Sequence, residues 1–324
     1  MSASTFELPV PDIARWREGN TGTEGVWHFE AAEPGRRVLI SALVHGNELC
    51  GAWALKGLLE ESVRPQRGTL TLAFCNLEAF DNFDPADPDA SRFVDEDMNR
   101  QWIDDRLAAG GSRERRRAAA LRPFVAEADW LLDLHSMSGP SAPLALTGMQ
   151  PRNLALARRL RSPEHVVVDA GHQSGVRMRD YGRFGAADAR PEDDALALLI
   201  ECGQHGELAS RTVAMDQCAR FLRAADTLDD AGIAAALPGW QQPDAPRQWA
   251  LDVTGAVAAR GEDFRFAQAF TGLEVIARAG TVIGWNGGEA VTTPYDDCVL
   301  VMPSTQQPKP GVTVVRFARR RALS

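Results

Sequence analysis

Between residue 36 and about residue 228 the chain alternates strongly apolar runs with helix-patterned segments, and this alternation restricts the fold more than any other feature. The runs RVLISALV (37–44), GTLTLAFCN (68–76), DWLLDLHS (129–136), APLALTG (142–148), HVVVDAG (165–171) and ALALLIEC (195–202) are apolar on successive residues rather than on every second one. Strands of that kind must be covered on both faces, as in parallel sheets whose crossovers are helices. The segments ELCGAWALKGLLEES, SRERRRAAALRPFVAEA, PRNLALARRLRS and LASRTVAMDQCARFLRAADTL supply the helices. The predicted class is α/β: a mainly parallel mixed sheet with helices on both faces, whose chemistry collects at the carboxyl ends of strands. The arginine-rich run 113–117 is expected on the solvated face of its helix.

At ALPGWQQPDAPRQW (236–249) the composition turns to Pro, Gly and Gln, the mark of a linker. Short β-like pieces punctuated by turns follow, which predicts a small C-terminal all-β domain. The expected division is a catalytic domain over 1–238 and a β-rich domain over 239–324.

The net charge of −9 speaks against nucleic acid as a partner. Five scattered cysteines (Cys50, Cys75, Cys202, Cys218, Cys298) without a CxxC pair fit reduced, buried thiols. The N-terminal MSASTFELPVPDIARW lacks a basic start followed by an apolar core, and no apolar run approaches the ~20 residues of a membrane span. The expectation is a soluble cytoplasmic protein with no membrane partner; homo-oligomerisation stays open.

Candidate chemistry starts at VHGNELCG, where His45 ends a predicted strand and Glu48 opens the next helix. Gly46 would allow a turn tight enough for both to face one ion. HxxE alone is weak, but a second histidine is placed alike: in WLLDLHSMSG, His135 closes another buried strand and Asp133 lies two residues earlier on the same face. Two histidines and a glutamate with one position left for water make a catalytic zinc set, and a metal-bound imidazole commonly gives its other N–H to a carboxylate such as Asp133. The alternative is a pair of hydrogen-bonded histidines at loop edges. In SRFVDEDMNRQW (91–102), Arg92, Asn99 and Arg100 read either as a surface loop or as a clamp for a substrate carboxylate. Glu201 follows an apolar run in ALLIECGQHGE, where desolvation would raise its pKa toward the range of a general base. His205 would line the site or cap a helix. His28, His165 and His172 lack companions at useful spacing and read as structural. GMQPRN and GWNGGE lack the strand–GxGxxG–helix context of a nucleotide site, and no serine sits in a GxSxG elbow.

In this order, HGNE, RFVDEDMNR, DLHS and IECG resemble the succinylglutamate desuccinylase and aspartoacylase family, within the wider zinc carboxypeptidase-like fold. The resemblance implies one zinc ion per chain on His45, Glu48 and His135, with Glu201 as general base and proton shuttle. It implies that Arg92 polarises the scissile carbonyl and that Asn99 and Arg100 bind the substrate carboxylate. A family tyrosine from the C-terminal domain corresponds to Tyr295 in TTPYDDC. The implied activity is zinc-dependent removal of an acyl group from a small N-acyl amino acid. A metallocarboxypeptidase acting on short peptides would share these residues, and a non-catalytic metal-binding protein of the same fold is the reading from another class. Two departures bear on acyl specificity. Arg190 stands eleven residues before Glu201, where the aspartoacylase pattern has an arginine about ten before, and the glutamate is followed by CGQHG, not Gly-Pro-Gln.

Overall fold

The computed structural model describes residues 6–171, 174–185, 194–304 and 308–323. Strands β1 (Val26–Glu30) and β2 (Glu33–Ala42) lead into helix α1 (Leu49–Glu60), β3 (Arg67–Phe74) and the short α2 (Leu77–Asp81). A loop then reaches α3 (Asp104–Ala109), α4 (Arg113–Glu127) and β4 (Trp130–Met137). Next come β5 (Leu144–Leu146), α5 (Pro151–Leu160), β6 (His165–Val168), β7 (Leu196–Gln204), α6 (Leu208–Ala224) and α7 (Asp230–Ala236). The C-terminal part carries β8 (Gln248–Ala258), β9 (Arg265–Phe266), β10 (Val275–Ile276), β11 (Val282–Asn286), β12 (Glu289–Thr292), β13 (Cys298–Val301) and β14 (Thr313–Leu323).

Eleven of these strands form one sheet in the order β1-β3-β2-β4-β7-β5-β6-β8-β14-β13-β10. Its centre, β3-β2-β4-β7, is parallel throughout, while β1 and β5 run against β3 and β7. The continuous apolar runs follow from this placement. Val38 and Ile40 of β2 pack with Leu55 and Leu58 of α1 and with Phe221 and Leu222 of α6. Leu39, between them, faces the other way, into a cluster with Ala118, Leu121 and Val125 of α4. Burying one such side chain contributes about 1.5–3 kcal/mol, so the runs stay apolar on both faces except where a site residue interrupts them. Helix α1 lies very close to the sheet: a Cβ on Gly51 would fall 2.8 Å from the Ala42 Cβ and 2.9 Å from the Leu134 Cβ.

Two sequence expectations change. The 113–117 run is not a uniformly solvated face, because Glu114 within it is fully buried and Arg117 donates to the carbonyls of Phe74 and Cys75. The main sheet also continues across the predicted linker, since β8 starts at Gln248, inside that stretch, and pairs parallel with β6. Beyond that seam the pairing is antiparallel, and a second three-stranded sheet, β12-β11-β9, lies in the same region. This C-terminal β region has its own apolar cluster, including Phe264, Ile283, Leu300 and Val315. No helix among the described residues is long and apolar enough to cross a membrane.

Candidate metal centre

The parallel centre of the sheet brings three chain segments to one place. After β2 the backbone turns through Leu43, which has φ 58°, and delivers His45 and then Glu48 just ahead of α1. Gly46 does not take a left-handed conformation here. A Cβ on it would lie 2.4 Å from the carbonyl oxygen of Ser91 and 2.5 Å from the Phe80 nitrogen, so glycine is required by close approach and not by turn geometry. On β4, Asp133 and His135 share a face, as the two-residue period dictates. On β7, Glu201 is in register with His135.

His45, Glu48 and His135 offer three ligand atoms that all lie within 4.8 Å of one another. Glu48 is the bridge: its Oε1 is 2.7 Å from Nδ1 of His45 and its Oε2 is 2.7 Å from Nδ1 of His135. The Ser136 N–H donates to the same Oε2 at 3.3 Å. The far nitrogen of each ring meets a carboxylate, with Asp97 Oδ1 3.0 Å from His45 Nε2 and Asp133 Oδ2 2.9 Å from His135 Nε2. Asp133 is in turn held by the Ser41 hydroxyl at 2.8 Å. In His135 a proton on Nε2 would be donated to Asp133 and would leave the Nδ1 lone pair for a metal ion, the arrangement that orients metal-binding histidines.

The electrostatics favour a cation at this point. Burial pushes the Glu48 carboxyl up, but the charges and hydrogen bonds of His45 and His135 outweigh it and hold the group well below the usual carboxylate range. For His135, burial works against the charged ring, yet Asp133 and Glu48 reverse this and hold its pKa well above the ordinary histidine value. Two imidazole nitrogens and a carboxylate, buried and surrounded by further carboxylates, are a donor set that fits one metal ion of the zinc type.

Glu201 is nearly buried, its Oε2 has no hydrogen-bond partner among the described residues, and burial followed by the charge of Glu48 raises its pKa to about 8. A folded-state pKa above the unfolded value gives stability that is complete below the ordinary carboxylate range and is lost as pH rises through about 8. Metal-free protein should therefore gain relative stability from Glu201→Gln as pH rises from 5 to 9, by up to about 1.4 kcal/mol per pH unit within that window. Denaturant unfolding of both proteins in chelator at a series of pH values tests this; a pH-independent difference would contradict the buried, unpaired carboxyl.

Arg92 lies beside the cluster, half-buried, with Nη1 3.3 Å from Glu48 Oε1 and Nη2 3.0 Å from His45 Nε2 and 3.6 Å from Asp97 Oδ2. Burial opposes its charge, but Asp97, Glu48 and Glu201 together raise its pKa above the ordinary guanidinium value. Arg100 donates to the Asn99 carbonyl at 2.8 Å and approaches Asp97 Oδ2 at 3.7 Å. Its pKa is lowered, first by burial and then, against the pull of Asp97, by Arg92, Arg177 and Arg316. Asn99 uses its carboxamide oxygen to accept the Met178 N–H at 2.9 Å, so half of its side chain ties down a neighbouring segment. His205 bonds the Ser136 hydroxyl through Nδ1 at 2.8 Å, and burial lowers its pKa to about 4, so the ring is neutral.

Tyr295 is not brought to this cluster. Its hydroxyl lies 2.6 Å from the Thr254 hydroxyl, its ring sits under the Arg319 guanidinium at 3.8 Å, and it packs on the C-terminal apolar cluster. His28 bonds Thr71 on the edge of the sheet. His172 and Arg190 lie outside the described residues. Asp97, Ser41 and Ser136 were not singled out from the sequence. Asp97 stands in the 91–102 loop as one of three acidic residues at 95–97, and nothing in the spacing distinguishes it.

A profile of the succinylglutamate desuccinylase/aspartoacylase catalytic domain matches residues 34–225, which hold every residue of the cluster. The chain belongs to the succinylglutamate desuccinylase/aspartoacylase family. The family consists of deacylases acting on N-acyl amino acids. A succinylglutamate desuccinylase of Burkholderia cenocepacia is 28% identical over 310 residues, covering 89% of this chain and 84% of the relative. Among solved structures, the family member from Rhodobacter sphaeroides superposes with a TM-score of 0.64 at 18% identity, covering 91% of this chain and 88% of the other. The succinylglutamate desuccinylase of Chromobacterium violaceum gives 0.60 at 20% identity, over 93% and 89%. At these identities the superpositions speak to the family fold alone, a mainly parallel sheet with a C-terminal β region.

Proposed function

We propose that this chain is a zinc-dependent amidohydrolase that removes an acyl group from a small N-acyl amino acid in the cytoplasm. The observation that carries the reading is Glu201: a carboxyl with one unpartnered oxygen and a raised pKa, in register with His135 on the adjacent strand. A zinc ion held by His45, Glu48 and His135 would supply Lewis acidity and a water of lowered pKa. Glu201, whose carboxyl a cation bound beside it would return to the ionised form, accepts a proton from the attacking water as the water oxygen bonds to the acyl carbon. Arg92, kept charged by the carboxylates around it, faces the negative charge that grows on the carbonyl oxygen; one such donor is typically worth about 3–4 kcal/mol in the transition state. As the C–N bond breaks, Glu201 returns its proton to the departing nitrogen, so water and amide become a carboxylate and a free amino acid. Arg100 and the remaining amide donor of Asn99 orient the substrate through its carboxylate. The C-terminal β region, read as a domain of its own from residue 239, would restrict the cleft to small substrates. Five free, buried cysteines agree with a reducing compartment.

The test is a panel of N-succinyl, N-acetyl and N-formyl amino acids set against dipeptides, all with zinc-loaded protein. Turnover of at least one acyl amino acid, exceeding that of every dipeptide by about 100-fold or more in kcat/KM, is the expected result. Preference for dipeptides would make the chain a metallocarboxypeptidase, and inactivity of the metal-replete protein on the whole panel would leave only metal binding.

A further inference from the structure

One buried carboxylate outside the metal centre has an unusual set of partners. Glu114 lies in the first turn of α4 within the run RERRR, yet it is 0% exposed. Its Oε1 accepts the Val94 N–H at 2.7 Å and the Asn76 side-chain amide at 3.1 Å. Its Oε2 accepts the N–H groups of Asp95 and Glu96 at 3.1 and 3.2 Å. Four N–H donors stand where a buried carboxylate would otherwise need a cation. Three of them are consecutive backbone amides, and the next residue is Asp97, whose Oδ1 reaches His45 Nε2 and also accepts the Asn99 N–H at 2.8 Å. Asn76 joins the same carboxylate to the end of β3, because its own oxygen caps α2. The neighbouring grips of α4 on the loop, Arg113 with Asp95 and Arg115 with Glu96, are exposed or half-exposed pairs and hold it weakly.

We propose that Glu114 is a positioning residue: it fixes the segment 94–96 so that Asp97 meets His45 while Asn99 and Arg100 stand beside the metal centre. The proposal rests on the zinc-deacylase reading for the meaning of that geometry. It gives the one buried residue of the arginine run a task that burial alone does not explain, since a leucine there would fill the same space without four hydrogen bonds.

Glu114→Ala and Glu114→Gln test it. Zinc affinity is measured by competition with a chelator, and KM and kcat with the acyl amino acid that the wild type turns over, at saturating zinc. Unfolding midpoints are followed in parallel. The alanine variant should bind zinc about tenfold more weakly, the loss typical of removing support around a ligand, and raise KM about tenfold with kcat within about threefold, because substrate positioning is what fails. Glutamine, which keeps one oxygen for the amides, should fall between alanine and wild type in both readouts. A folded alanine variant with wild-type zinc affinity and KM, and only a lower midpoint, overturns the proposal; so does unchanged KM with a collapsed kcat. If alanine prevents folding, the glutamine variant decides by the same two readouts. Should the wild type turn over no acyl amino acid, the deacylase reading fails by itself, and the zinc affinities still decide whether Glu114 supports the metal centre.

Discussion

Glu201→Gln is expected to lower kcat by about 10³- to 10⁴-fold, toward the upper end of what a positioned proton-transfer group contributes, while the purified protein keeps its full zinc content. The substitution preserves size and hydrogen-bonding reach but removes the ability to take up a proton. Glu201 has two transfers to perform in the proposed reaction, one from water and one to the leaving nitrogen, so losing it should affect the chemical step and not substrate capture; KM should stay within a few-fold. Zinc should remain because the three ligand atoms converge without Glu201. Nor should folding suffer, since Oε2 has no partner to lose among the described residues. Elemental analysis and steady-state kinetics on the same preparation check the two halves. Turnover near the wild-type rate in a zinc-replete variant would mean that another group moves the protons, and His205, four residues along the chain, is a poor candidate because burial lowers its pKa to about 4.

The residues legible in the sequence are those whose position follows from a strand buried on both faces. β2, β4 and β7 announce themselves as unbroken apolar runs because helices cover both sides, and a polar residue in such a run, His135 or Glu201, is conspicuous for that reason. What escaped is held by contacts between segments distant in sequence. Asp97 meets His45 only because a loop folds back across 52 residues, and its two acidic neighbours give the same local signal. Glu114 hides among arginines because helical periodicity there shows charge on every side, and only the returning loop explains the burial. The sheet's extension from β6 to β8 is a pairing across the Pro-rich stretch, so a shift of composition marks a change of style and not an end of the sheet. Tyr295 takes its expected role from alignment with a family position and not from a pattern of its own, and its hydroxyl meets that of Thr254 on β8.

His135→Ala should bring the larger loss of metal, leaving the protein with little or no zinc at concentrations that saturate the wild type. The change removes one of the three atoms proposed to hold the ion and does further damage. Asp133, which is 0% exposed, loses the ring it accepts from, and Glu48 loses one of the two imidazoles that hold it below the usual carboxylate range. Breaking a buried charged pair from one side typically costs about 3–5 kcal/mol, so the unfolding midpoint should fall even in chelator, where no metal contributes. Asp133→Asn separates these effects. It keeps the ligand ring and removes only the charge behind it, for which a drop of about 10- to 100-fold in zinc affinity is the usual scale. The expected order of zinc affinity is wild type, then Asp133→Asn, then His135→Ala, read by chelator competition. If His135→Ala retains stoichiometric zinc, the ring is not a ligand, and its place between Asp133 and Glu48 is that of a buried imidazolium that neutralises two carboxylates. If Asp133→Asn binds zinc as the wild type does, the hydrogen bond to His135 holds the ring in place without tuning it.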